Sequence, residues 1–252
     1  MRSEIRFLLL SAATAGLLLI SLAGCPTRPH GPEGPSAAKI GAVSPAPGSP
    51  QAPHAGQPFD VASGESLLTI LAFRGGTLAK VGHNHVIASH DVTGAFYLPD
   101  DISQSTFELH VPVAQLTIDE PELRAKEGPD FPTDVPDSAK EGTRRNMLSE
   151  ALLNGTEFPE ITLVSQRIEA TATGSQVRAD VQVSVRGQTH TVSVPVTYSL
   201  VNGELTASGE LPIKQTDLGL TPFSALLGAL AVQDELRVRF RFVAHAATTH
   251  RD

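Results

Sequence analysis

Apolar and polar residues alternate with period two over much of the second half of the chain. Val177, Ala179, Val181, Val183 and Val185 alternate with Arg178, Asp180, Gln182, Ser184 and Arg186. After a break at Gly187, Val192, Val194, Val196, Tyr198 and Leu200 take up the pattern. Alternation sends successive side chains to opposite faces, so each run predicts a strand with one buried face. Asn202-Gly203 then supplies the turn that tight hairpins prefer, and Leu205 to Ile213 continues beyond it. Near the end, Leu236, Val238, Phe240 and Phe242 alternate with Arg237, Arg239 and Arg241. Earlier strands are expected over Ser66–Phe73, Gly82–Ser89, Val92–Leu98, Thr106–Ile118 and Glu160–Ala172. In the fourth of these the apolar phase moves from Phe107, Leu109, Val111 and Val113 to Leu116 and Ile118. A one-residue slip of that kind predicts a bulge near Ala114.

Two segments break the alternation. Ser138 with Glu141 forms a capping-box pattern, followed by Met147, Leu148, Ala151 and Leu152 on one helical face and Asn154-Gly155 as a stop. Pro222 to Leu230 is a shorter apolar stretch, also taken as helical. The expected fold class is all-β with short helical insertions, an antiparallel sheet of about eight strands closed into a barrel, since closure removes exposed edges. A barrel of that size is either filled by side chains or holds one small ligand. Periodicity leaves both open.

The N-terminus changes the picture of where the domain sits. Arg2 and Arg6 precede an apolar run from Phe7 to Leu22, which is short for a membrane-spanning helix and suits the core of a signal peptide. The run ends in Leu22-Ala23-Gly24-Cys25, which resembles the lipobox of bacterial lipoproteins. That resemblance implies removal of residues 1–24 and three acyl chains on Cys25, enough for stable anchoring. Pro26 follows the cysteine, with no Asp there to point to inner-membrane retention. The expected location is the cell envelope, lipid-anchored in the outer membrane and facing the periplasm. From Cys25 to Pro58 the chain is rich in Pro and Gly, with three charged residues and no aromatic. Such a segment buries too little apolar surface to offset the ordering of its backbone, so it is a tether. The barrel domain is expected over residues 59–246, with a tail at 247–252.

Composition then excludes several classes. One Cys in 252 residues rules out a disulfide framework or a Cys-rich zinc module. A formal charge of -8 gives no support for nucleic-acid binding. No nucleophile elbow, P-loop or dinucleotide fingerprint occurs, and no residue is assigned a catalytic role.

Four blocks carry a family resemblance. Gly82-His83-Asn84-His85-Val86-Ile87-Ala88-Ser89, with Val92-Thr93-Gly94-Ala95-Phe96, is similar to the first block of the YceI-like family. So is Arg144-Arg145-Asn146-Met147-Leu148, followed by Glu157-Phe158-Pro159-Glu160-Ile161. Val181 to Val194, around Arg186-Gly187-Gln188-Thr189-His190, and Gln215-Thr216-Asp217-Leu218-Gly219-Leu220 complete the order. The resemblance implies a lipocalin-like antiparallel β-barrel that holds a polyisoprenoid or quinone-like lipid in an apolar tunnel, and it is compatible with a homodimer. Two departures stand out: Asn146 where the family more often has Asp, and a long Pro-rich segment from Asp119 to Pro136 that looks like inserted loop.

Pattern and resemblance together put candidate ligand contacts at His83, His85, Phe96, Arg144, Arg145, Val183, Val194 and Phe240. His83 and His85 are two apart, so both leave one face of a strand. They suit three roles: a histidine pair bonded to backbone, contact with a lipid head group, or metal ligation with His90, His110 or His190 as the third donor. Arg144 and Arg145 could meet an anionic head group through bidentate hydrogen bonds or lie solvated on a helix. The resulting expectation is an envelope lipoprotein that binds an amphiphilic, isoprenoid-type lipid. The rivals are a periplasmic metal-site protein or enzyme using His83 and His85, and a filled barrel acting as an interaction module.

Overall fold

The computed structural model describes residues 54–247; the signal-peptide core, Cys25, most of the tether and all but Ala247 of the tail lie outside them. Twelve strands form one sheet: β1 (Gln57–Val61), β2 (Leu67–Gly75), β3 (His85–Ser89), β4 (Thr93–Leu98), β5 (Thr106–Pro112), β6 (Thr117–Ile118), β7 (Glu160–Ala170), β8 (Gln176–Val185), β9 (Gln188–Val201), β10 (Glu204–Lys214), β11 (Ser224–Ala225) and β12 (Leu230–Ala246). Pairing runs β1-β4-β5-β7-β8-β9-β10-β12, and β12 pairs back onto β1, which closes an eight-stranded antiparallel barrel.

The long strand β12 organises the closure. Its C-terminal end pairs with β1 (Phe59 opposite Ala246), while its earlier residues pair with β2 (Leu68 opposite Phe240, Gly75 opposite Ala231). Beside them, β4 pairs with β1 and β3 with β2, and β6 pairs with β3. The first three ribs of the barrel are thus bent strands whose two halves carry separate labels. The phase slip at Ala114 is one such bend. It is a single turn of 3-10 helix at Val113–Gln115, and there the chain leaves its partners β4 and β7 and joins β3.

The alternating runs emerge as strands β8, β9, β10 and β12, joined by two-residue turns where they are consecutive. Arg186-Gly187 and Asn202-Gly203 both have positive φ at each residue, the conformation that matches the twist of the flanking strands. The inner faces pack Phe59, Phe96, Leu109, Leu205, Ala207 and Phe242 into a plug at the end of the barrel where β1 meets β12. Each fully buried aromatic or aliphatic side chain there contributes about 1.5–3 kcal/mol.

Four expectations need correction. A strand precedes the first one expected, Ser66–Phe73: β1 starts at Gln57, and His54 before it stacks on Tyr97 and hydrogen-bonds the Thr106 hydroxyl. The helix over Asp137–Leu148 (α2) has Pro136 at its N-cap and no side-chain cap, so the Ser138/Glu141 pattern is not used. Leu148 closes it, leaving Ala151 and Leu152 in the turn that follows. Pro222–Leu230 is not a helix, because Ser224 and Ala225 pair with the start of β12, and Leu226 and Leu227 turn through positive φ. Finally, Asp119–Pro136 is not a loose loop. It contains helix α1 (Pro121–Lys126), and its Leu123 and Phe131 pack with Leu71, Val86 and Ala88 on the outer face of β2 and β3.

Gly94 offers a sharp test of the packing between β4 and β5. Its φ is 121°, and a Cβ built there would lie 2.1 Å from the Glu108 carbonyl oxygen. Gly94→Ala is expected to destabilise the domain by about 1–3 kcal/mol, measured by urea denaturation. Gly64→Ala, where a Cβ meets nothing within 4 Å, serves as the control and should be close to neutral.

Candidate functional site

Above the aromatic plug the barrel is hollow. A cavity of about 660 Å³ occupies it, walled by the inward residues of the alternating strands, among them Val183, Val194, Val196, Leu211 and Val238. Such a volume lies within the range of about 300–1,000 Å³ typical of small-molecule sites. Phe240 and Phe96 line its lower part, and Phe240 stacks on Phe242 at 5.1 Å. Gly209 makes room for that ring, because a Cβ on it would come within 2.7 Å of Phe240. Polar side chains on the wall are few: Arg74, His83, His85, Thr143, Asn146 and Gln215.

The opposite end, away from the plug, is bordered by α2 and by the loops that follow β2 and precede β12. The two loops are joined by the Leu78 amide, which donates to the Ala229 carbonyl at 2.7 Å. Val81 and Asn146 belong to the cavity wall and are exposed, which marks the opening. Leu78, Leu226 and Leu227 stand exposed beside it.

The Gly-His-Asn-His block divides its side chains between two surfaces. His83 and His85 turn to the cavity with ring centroids 4.4 Å apart. Asn84 between them is buried, accepts from the Arg74 amide at 3.0 Å and donates to the Asp130 carbonyl at 3.2 Å. The residue that organises the pair is Asp119, at the end of β6. It is fully buried and takes positive φ, a conformation Asp tolerates better than most residues. Its Oδ1 accepts from the Val86 amide at 2.8 Å and from Arg124 Nη1 at 2.5 Å. Oδ2 faces the histidines, 2.8 Å from His85 Nδ1 and 3.5 Å from His83 Nε2.

Arg124 on α1 is also fully buried. Beyond Asp119, it donates to the carbonyls of Asn84 and Pro132, both at 2.6 Å, and its guanidinium carbon lies 5.6 Å from the centre of the Phe131 ring. Burial acts to raise the Asp119 carboxyl, but the hydrogen bonds from His85 and Val86 and the charges of His85 and Arg124 outweigh it and hold the group below its usual value. Burial and the neighbouring His85 push the His83 imidazole down, only partly offset by Asp119. With Asp119 ionised as the acceptor, His85 carries its proton on Nδ1 when neutral and keeps Nε2 as an acceptor.

The candidate contacts read from the sequence therefore fall into two groups. His83, His85, Phe96, Val183, Val194 and Phe240 converge on one cavity. Arg144 and Arg145 do not. Arg144 donates to the carbonyls of Leu116 and Ala114, which fastens α2 to the bend between β5 and β6. Arg145 is exposed and pairs with Glu141 at 3.9 Å. The helix presents Ala139, Thr143, Asn146 and Met147 to the barrel instead. His90 and His110 pair with Glu120 and Glu160, and His190 stands apart on β9, so none of the three joins the histidine pair. Asp119 takes that place. The sequence reading missed Asp119 and Arg124. Glu120-Pro121-Glu122-Leu123 did hold a signal, because Pro at the first helical position predicts α1.

A closed antiparallel barrel of eight strands with an apolar hollow and a few polar groups on its wall defines a lipocalin-like barrel. Within that class, the chain belongs to the YceI-like domain family, whose model matches residues 71–244. Among solved structures, BcnA of Burkholderia cenocepacia superimposes with a TM-score of 0.53 at 18% identity, over 75% of this chain and 100% of that one. A polyisoprenoid-binding domain from Saccharophagus degradans, implicated in plant cell wall breakdown, has a TM-score of 0.50 at 11% identity, over 75% and 98%. At those identities the likeness is one of fold. No curated protein matches the chain.

The Asp119–Arg124 pair yields a direct test. Arg124→Met strands a buried carboxylate and is expected to cost about 3–5 kcal/mol of stability, whereas Arg124→Met with Asp119→Leu removes both charges and should recover most of that loss. Urea titrations of the two variants, with the wild type alongside, decide it. Equal destabilisation of the single and double variants would mean that the charges are not the source.

Proposed function

We propose that this protein is an envelope lipoprotein, anchored through Cys25, whose barrel binds an amphiphilic lipid of isoprenoid type for transport, storage or sequestration. The observation that carries the reading is the hollow itself, an apolar chamber of about 660 Å³ with its polar side chains confined to a few positions. Removing a lipid chain from water into such a wall is favourable by about 25 cal/mol per Å² of apolar area, less the loss of freedom on binding. Branched Val and Leu side chains make a wall without hydrogen-bond demands, which suits a hydrocarbon and offers nothing to a polar solute. His83, His85, Thr143 and Asn146 would take the head group and orient it. The name of the Saccharophagus relative supports an isoprenoid chain as the occupant.

Gentle purification followed by mass spectrometry of an organic extract tests the ligand. An isoprenoid-type lipid at close to one per chain is expected, and protein that carries no lipid and takes up none when offered would overturn the reading. Val183→Trp with Val194→Trp fills the chamber from two neighbouring strands, β8 and β9. It should lower lipid uptake at least tenfold while the far-ultraviolet circular dichroism remains that of the barrel. The anchor is tested separately. Cys25→Ser should move the protein from the membrane fraction to the soluble one, and incorporation of a labelled fatty acid should disappear with it.

A further inference from the structure

Three donor atoms meet at one point of the cavity wall: His83 Nε2, His85 Nδ1 and Asp119 Oδ2. They lie close enough together to share one ion. From these we infer that His83, His85 and Asp119 form a binding site for a divalent transition-metal ion of the zinc class, whose remaining coordination positions open into the cavity.

Three observations carry this. The first is spacing. Donors held about 2.0–2.1 Å from a tetrahedral zinc ion stand roughly 3.3 Å from one another. Asp119 Oδ2 lies 2.8 Å from His85 Nδ1 and 3.5 Å from His83 Nε2, which brackets that value; an ion would displace the Nδ1 proton that Asp119 accepts in the metal-free state, sending it to Nε2 or to solvent. The second is an unmet demand. His83 Nε2 is buried and has no hydrogen-bond partner among the described residues, although imidazole nitrogens in such positions are normally satisfied.

The third is the division of labour on the carboxylate. Oδ1 is taken by the Val86 amide and Arg124, which fixes its plane and leaves Oδ2 aimed at the two rings. Support of that kind behind a ligating carboxylate is the common outer shell of metal sites.

Arg124 works against affinity, because its charge already balances Asp119. An ion with two neutral imidazoles and a neutralised carboxylate would leave its positive charge facing an apolar chamber. The site therefore favours an anionic or strongly donating oxygen in the open position, and a micromolar dissociation constant for the bare ion. Two histidines and one carboxylate with open positions also suit other divalent ions of the first transition row.

The test uses the barrel domain in the full chain, extracted free of lipid and of metal with chelator, so that it does not depend on the identity of any lipid ligand. Zinc chloride is titrated by calorimetry, and cobalt chloride by visible absorption, which reports low-symmetry coordination. One ion per chain is expected. His83→Ala removes a side chain that makes no hydrogen bond, so the fold should persist, and binding should weaken at least tenfold. His85→Ala should do the same. A second cluster, Glu65, Glu204 and His245, lies on the outer surface. Glu65→Gln with His245→Gln is the control, and binding should be unchanged in it. No binding in the micromolar range, binding unchanged in His83→Ala, or binding lost only in the surface variant would each overturn the inference.

Discussion

Two full charges sit where no water reaches them, and the arrangement around the mouth of the barrel depends on their meeting. An ion taken out of water loses several kcal/mol of solvation even after the protein relaxes, and the loss is recovered only when a partner and further hydrogen bonds are well placed. Asp119 and Arg124 meet most of that demand with two carbonyls, one amide and one imidazole, and Arg124 Nη2 alone of their buried atoms has no partner among the described residues. The Arg124 side chain links the segment before β3, through Asn84, to the segment after α1, through Pro132. The second acceptor of Asp119 then sets His85, and His85 with Asn84 sets the course of the chain as it enters β3. Polar chemistry in the cavity is arranged from outside the barrel.

The barrel itself solves a different problem. Eight ribs closed around a core would be filled by their own side chains if every inward position carried a large residue. Here the large rings are gathered at one end, and the ribs beyond them present Val and Leu to a space left empty. Bending the first three ribs helps. It allows β1, β4 and β5 to close over the plug while β2, β3 and β6 continue as a separate flank that ends beside α2. The cavity needs both parts, because Arg74, His83 and His85 come from the flank, while β8, β9, β10 and β12 supply a continuous stretch of its apolar wall.

Legibility in the sequence followed burial. Strands β8, β9, β10 and β12 announce themselves because one face is wet and the other dry, and that contrast is what places Val183, Val194 and Phe240 on the cavity wall. β1 has a single buried residue, Phe59, within Gln57–Val61, so it carries almost no alternation and merges with the Pro-rich stretch before it. The Ala114 slip was visible as a change of phase, but only pairing shows that it is a change of partners. Charge was the least legible property. Arg145 lies two residues from the buried Met147 and hence on the other side of the helix, whereas Arg124 lies next to the buried Leu123 and is wholly enclosed. Nothing in local composition separates the two arginines. Buried charge is specified by its partners, and these come from Asn84, Asp119, Phe131 and Pro132.

The segment from Asp119 to Pro136 is continuous in sequence, and it enters and leaves the barrel at neighbouring points, after β6 and before α2. It brings its own hydrophobic anchor, its own counter-ion and the carboxylate that orients both histidines. None of its residues lines the chamber, so it acts on the cavity at one remove: a change in this one stretch of chain would re-aim the two rings while every residue of the wall stayed the same.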